Sequence, residues 1–167
     1  MPRFAVLDVD LERSWLDSLR AGLDDALAID EPGMLFRAKG RDRWVEPRMV
    51  AWNFSELDIR RRPWSDVSLQ VRCFVKVEAK GERQLTLSEV VDEVRRVIDP
   101  RRVTSNSTAG VLRITDCDGQ EVGILQCSPP SERRAYNQSQ RIRGDQLEGL
   151  DVAILTVPCK LTSNVCG

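Results

Sequence analysis

Asp8 and Asp10 follow the apolar run Phe4-Ala5-Val6-Leu7 in the order Asp-Val-Asp. Paired carboxylates at the end of a strand can carry phosphoryl chemistry. A second acidic run, Asp116-Cys117-Asp118-Gly119-Gln120-Glu121, offers alternating oxygens like a calcium loop. Such a loop needs Gly at its sixth position and Glu at its twelfth. This run lies between two strand-like segments and reads as a hairpin turn. There is no histidine, which removes the commonest general base, the Ser-His and Cys-His nucleophiles, and most zinc or haem sites. The five cysteines, Cys73, Cys117, Cys127, Cys159 and Cys166, include no C-x-x-C pair. With an odd count and no secretory signal ahead of them, they are expected as free thiols in a reducing compartment.

The Asp-Val-Asp run resembles the nucleophile motif of haloacid-dehalogenase-type phosphatases, but the small residues and the Thr that normally follow are missing. The chain is also too short for that fold and too poor in β-α-β pattern. Asp10 is therefore read as a helix N-cap and Asp8 as a solvated turn residue. No phosphate-cradling glycine motif is present. No catalytic residue, metal ligand or cofactor is expected, and the protein is expected not to be an enzyme.

Leu11, Trp15, Leu16, Leu19, Leu23, Ala26 and Leu27 recur at helical spacing and predict an amphipathic helix over 11–27. Gly22 inside it suits a close approach to a neighbour. Arg37, Lys39, Arg41 and Arg43 alternate, as on one face of an extended chain, and Trp44 to Phe54 reads as a strand that Pro47 places at an edge or bulge. Val67, Leu69, Val71, Cys73, Val75 and Val77 alternate with Ser68, Gln70, Arg72, Phe74 and Lys76 and predict a long strand. Thr86 and Glu89 form a capping box, with Leu85 and Val90 as its staple, for a helix that ends at Asp99-Pro100. Asp118-Gly119 joins two short strands over 111–115 and 120–127. A last strand over 150–161, apolar on both faces, is expected to be central, with Pro158 making its outer end edge-like or unpaired. The class expected is α+β: a small antiparallel or mixed β-sheet with two helices packed on one face. The whole of 1–167 forms one domain, with extended loops near 55–66 and 128–146.

The net charge of −1 conceals a separation. Residues 1–34 carry eight acids and three bases, and residues 35–76 carry ten bases and five acids. Opposite charges on one subunit suit packing against copies of itself. Arg60, Arg61, Arg62 and Trp64 form one basic-aromatic cluster, and Arg133, Arg134, Tyr136, Arg141 and Arg143 form another. Arginine and large aromatic side chains are favoured at interfaces, so these nine residues are the candidate interface. The same combination also suits a nucleic-acid groove.

The element order resembles the tail-terminator family of long-tailed bacteriophages. The corresponding parts are Leu11–Leu27, Trp44–Asn53, Val67–Val77, Leu87–Ile98 and Val152–Leu161, whereas the longer 99–145 region departs from a compact member. The resemblance implies a virion protein of the tail and neck, assembled in the host cytoplasm. It would form a hexameric homo-oligomeric ring at the head-proximal end of the tail tube. Its implied partners are the tail-tube protein, the head connector or stopper, and genomic DNA passing through the lumen, with no membrane. The alternatives are another neck or tail adaptor and a nucleic-acid-binding accessory module.

Overall fold

The computed structural model describes residues 8–53, 64–76, 83–102 and 110–163. Among them are two α-helices, α1 (Asp8–Gly22) and α2 (Arg83–Ile98). The strands are β1 (Ala28–Ile29), β2 (Arg43–Asn53), β3 (Trp64–Lys76), β4 (Val111–Thr115), β5 (Glu121–Cys127), β6 (Ser131–Ile142) and β7 (Asp145–Ser163). All seven strands belong to one sheet in the order β1-β2-β3-β7-β5-β4, with β6 paired to β7. Only the β1–β2 pair is parallel.

This corrects the expected fold class. The described residues are mostly β, with 52% in strands, and their mixed sheet curls into a half-barrel. It is not a small sheet with two helices packed on one face. Register shifts at Met49/Ala51, Ile114/Thr115, Ala135/Gln138 and Gln138/Gln140 supply the bends, because each bulge locally raises strand twist. The stretch expected as a loop near 128–146 holds β6 and its turn. Its residues are polar on both faces, so alternation could not reveal the strand. The other expected loop, near 55–66, lies outside the described residues up to position 63, and β3 begins at Trp64.

β7 is the spine. Along one edge it pairs with β3 from Leu150 to Thr162. Along the other it pairs first with β6 and then with β5, which lie end to end. Cys127 faces Cys159 and Ser131 faces Thr156, so four steps on one side match three on the other. Ser128-Pro129-Pro130 fills that break, opposite Pro158. Pro158 lacks an N–H, yet its carbonyl accepts from the Ser128 N–H at 2.8 Å. The proline therefore marks a change of partner; beyond it β7 stays paired to β3 on one side and β5 on the other, so its outer end is neither edge-like nor unpaired.

Both sheet faces are buried. The main core joins Leu11, Trp15 and Leu19 of α1 and Val90, Val94 and Ile98 of α2 to alternate residues of β3 and β7, among them Leu69, Val71, Leu155 and Val157. The second core, on the opposite face, packs Trp44 and Phe74 beneath Ala38, Ile142, Leu147 and Leu150. The Trp44 and Phe74 rings stack at 5.1 Å, with Phe36 at 6.1 Å from Trp44. Phe74 breaks the polar row of β3 because this end of the row is covered.

Several local expectations shift. α1 begins at Asp8, so Asp10 is inside the helix, buried and paired with Arg13 at 2.9 Å, and is not its cap. Both aspartates lie within α1, and the apolar run ahead of them, 4–7, lies outside the described residues. α2 begins at Arg83, which places Thr86 within the helix. A short 3-10 turn over Ala38–Gly40 breaks the expected alternation of Arg37, Lys39 and Arg41. α1 ends at Gly22, short of the expected Leu27, so alanine there gains less than the ~1 kcal/mol of an interior helix position. Against that gain, an added Cβ would lie 2.7 Å from a methyl carbon of Val97. We therefore expect Gly22→Ala to lower stability by about 1–2 kcal/mol through overpacking. Thermal denaturation should show Val97→Ala in the same chain relieving part of the loss.

Candidate interface surface

β6 pairs with β7 alone, and its other side is an open edge among the described residues. Charged side chains suit such an edge because they discourage uncontrolled strand addition. Residues directly opposite in the ladder share a face. Glu132 and Arg134, opposite Leu155 and Ala153, therefore point to the helix side. There Arg95 of α2 donates to Glu132 at 2.6 Å, and Arg134 donates to Ser88 Oγ at 2.8 Å and also to Glu132. Arg133, opposite Ile154, is exposed on the other face. At the following bulge Asn137 takes φ +52° while its N–H donates to the buried Asp151 carboxylate at 3.0 Å. Tyr136 is 43% exposed beside it, and Arg141 is exposed further along.

The open polar face of the sheet lies beyond the second core. Arg72 sits there with its guanidinium 5.2 Å from the Phe74 ring centroid. It bonds Gln140 of β6 at 2.8 Å and Glu46 of β2 at 3.3 Å. Gln70 reaches Thr156 at 3.4 Å in the next row. These contacts tie four strands, β2, β3, β7 and β6, together on the solvent side.

Arg143 has a different role from the one expected. Arg143 and Gly144 both have positive φ, +48° and +91°, which is the two-residue turn that joins antiparallel strands without splaying them. The turn swings the guanidinium onto the segment after β1. One Nη donates to the Met34 carbonyl, the other to the Glu31 carbonyl at 2.6 Å, and it also lies 2.5 Å from Asp30 Oδ1. The Asp30 side chain is 1% exposed. Burial pushes its carboxyl above the ordinary carboxylate range, and the Arg143 charge pulls it partly back. Glu31 is in turn held by Arg20 of α1 at 2.7 Å, which keeps its carboxyl below the usual range.

This clamp fixes a feature that the sequence reading missed. Leu35 is 89% exposed and Met34 60%, on a turn pinned from two sides. Behind it a groove of about 410 Å³ runs between the end of α1 and β1, lined by Arg20, Leu23, Asp25, Ile29, Leu35 and Arg41. A second groove of about 390 Å³ follows the outer edge, between Ser14, Asp17 and Ser18 of α1 and Val111, Leu112 and Arg113 of β4. The signal for the first was the apolar run Met34-Leu35-Phe36 directly after a Pro-Gly breaker.

Of the first arginine cluster only Trp64 is among the described residues, and it is not brought to the second. Trp64 begins β3 opposite Thr162, whereas Arg141 lies opposite Gln146. Those positions are roughly 50 Å apart along β7 at about 3.3 Å per residue. Arg60, Arg61 and Arg62 lie outside the described residues. Among the described residues no group of three His, Cys, Asp or Glu side chains could hold a metal ion. No described helix is long and apolar enough to cross a membrane.

Removing Arg143 leaves Asp30 buried without its counter-charge. We expect Arg143→Ala to cost about 2 kcal/mol, below the 3–5 kcal/mol of a fully buried pair because the guanidinium is partly solvated. The sign with pH follows from the raised Asp30 carboxyl. The folded state binds that proton more tightly than the unfolded chain, so the variant's deficit is largest above the folded-state pKa and shrinks as the pH falls through it. Denaturant titrations of the wild type and the variant across acid pH check both points.

No protein-family model matches this sequence, and comparison with curated proteins finds no match.

Proposed function

We propose that the protein is a ring-forming structural component of a phage-type tail. It ends polymerisation of the tail tube at the head-proximal end and joins the tube to the head connector. The observation that carries this reading is the unlikeness of the two lateral sides of the sheet. One side ends in the two-residue β1 and in the remainder of β2, whose partner beyond Val45 is β3 alone among the described residues. The other ends in β4 along one stretch and β6 along the next. A closed ring of identical subunits is heterologous and needs two different surfaces that complement each other. The order of α1, β2, β3, α2 and β7 along the chain agrees with the same reading.

The charge separation supports it further. Within the first segment Arg20 pairs with Asp17 and Glu31, and within the second Arg48 and Arg72 pair with Glu46. The rigidly based Leu35 supplies an apolar anchor on the β1 side. Exposed Arg133, Tyr136 and Arg141 favour a second reading, an accessory module that binds single-stranded nucleic acid through bases and a ring.

Native mass measurement and electron microscopy separate the two. The ring reading expects a closed oligomer, alone or on addition of the tail-tube protein encoded in the same genome, and tubes of limited length when both are mixed. Leu35→Asp should weaken the oligomer by about tenfold or more, equivalent to about 1.4 kcal/mol, and leave the monomer folded. A chain that stays monomeric with and without tube protein, and binds single-stranded DNA with a steep salt slope, would sink the ring and favour the second reading.

A further inference from the structure

Cys127 and Cys159 stand directly opposite each other in the β5–β7 ladder, and their sulfurs lie 3.2 Å apart. Both are thiols. The other described cysteines are placed differently: Cys73 is buried in β3, and Cys117 is exposed in the β4–β5 turn. We propose that Cys127 and Cys159 form a reversible thiol–disulfide pair, a cross-strand modification site that locks β5 to β7 when oxidised.

The register makes this bond attainable and keeps it labile. Residues directly opposite in an antiparallel pair hold their Cβ atoms about 4.5–5.5 Å apart, whereas a disulfide prefers about 3.5–4.5 Å. A small local closure of the strands is therefore needed, and the sulfurs must approach to about 2.05 Å. A disulfide formed against such resistance is easily reduced, which suits a switch better than a permanent staple. The ladder is interrupted beside the pair by Pro158 and by Ser128-Pro129-Pro130, so the closure does not have to be transmitted through a continuous set of hydrogen bonds.

The two thiols are unequal. Cys127 is half-buried and Cys159 is buried, with its sulfur also 3.4 Å from the Val157 carbonyl oxygen. The Cys159 S–H donates to the Cys127 sulfur. That hydrogen bond holds the Cys127 thiol below its ordinary pKa and pushes Cys159 well above its own. Cys127 is therefore the attacking thiolate and Cys159 the resolving group.

With a low-molecular-weight disulfide as oxidant, the Cys127 thiolate attacks one of its sulfurs, breaks the S–S bond and expels one thiolate. Cys159 then gives up its proton and attacks Cys127 Sγ in the mixed disulfide, expelling the second. Two protein thiols are oxidised to one disulfide, and one small disulfide is reduced to two thiols that take up the protons. Oxidation fixes the β4–β5 hairpin, and with it one of the sheet's lateral edges, to the central strand.

The test uses the full chain carrying Cys117→Ser, which removes the exposed competing thiol. The native protein is equilibrated with graded ratios of oxidised to reduced glutathione and quenched with an alkylating agent. Intact mass and peptide mapping follow. The expected result is loss of the mass of two hydrogen atoms, no glutathione adduct, a Cys127–Cys159 linked peptide, and full reversal by reductant. Cys159→Ser should trap glutathione on Cys127, as expected when the resolving thiol is gone. A persistent glutathione adduct on Cys127 with Cys159 still open to alkylation overturns the proposal. So does a link from either residue to Cys166, or a bond that forms only in denaturant.

Discussion

Everything in this molecule hangs on the double pairing of β7. A strand bonded along both edges satisfies its backbone groups internally and can be buried on both faces, and β7 uses that freedom fully. Ala153, Leu155, Val157, Cys159 and Leu161 enter the core shared with the helices, while Leu150 and Val152 enter the core on the far side. β3 repeats the pattern more weakly, with Phe74 as its one large contribution to the second core. Both helices add their apolar stripes to the first of these cores, in an arrangement that the two strands have already determined. The second side is closed by a 3-10 turn and by the β6–β7 turn folding back on it.

That closure explains the arginines. Arg143 and Arg141 are two residues apart in sequence, yet one is committed to carbonyl oxygens and to a buried carboxylate while the other faces water. Arg134 and Arg133 divide in the same way across the two faces of β6. An arginine-rich stretch in a sheet edge is thus two populations. One ties the edge to the body through Ser88, Glu132, Asp30 and the 31–34 turn. The other, with Tyr136, remains outward and is available to a partner.

How much of this was legible follows from which forces are local. The alternation of β3, the stripes of both helices and the turn at Asp118-Gly119 are dictated by neighbours in sequence, and each was readable there. In that turn Asp116 Oδ1 accepts from the Asp118 and Gln120 N–H groups at 2.9 Å, and Gly119 has φ +76°. The two-sided apolar pattern of β7 also declared a central strand. The second core was hidden because Trp44, Phe74 and the Ile142–Leu147 turn come from three separate segments, none apolar enough to announce a buried face. β6 was hidden because an edge strand with polar residues on both sides has no period to detect. Leu35 was passed over because its exposure depends on a clamp supplied by Arg143, more than a hundred positions away.

The placement of β7 has a consequence for how the chain reaches its fold. In chain order it is the last of the described strands, yet it separates β3 from both β5 and β6 in the finished sheet. Until it is present, β2–β3 and β4–β5 are two hairpins with no strand between them, and each helix stripe has only part of its apolar surface to pack on. Loop-closure entropy is spent on pairings nearly a hundred residues apart before the core rewards it. Pairings of that range favour slow folding. The β1–β2 and β4 edges take up their places relative to one another, and β6 gains its only described partner, when β7 joins the two halves.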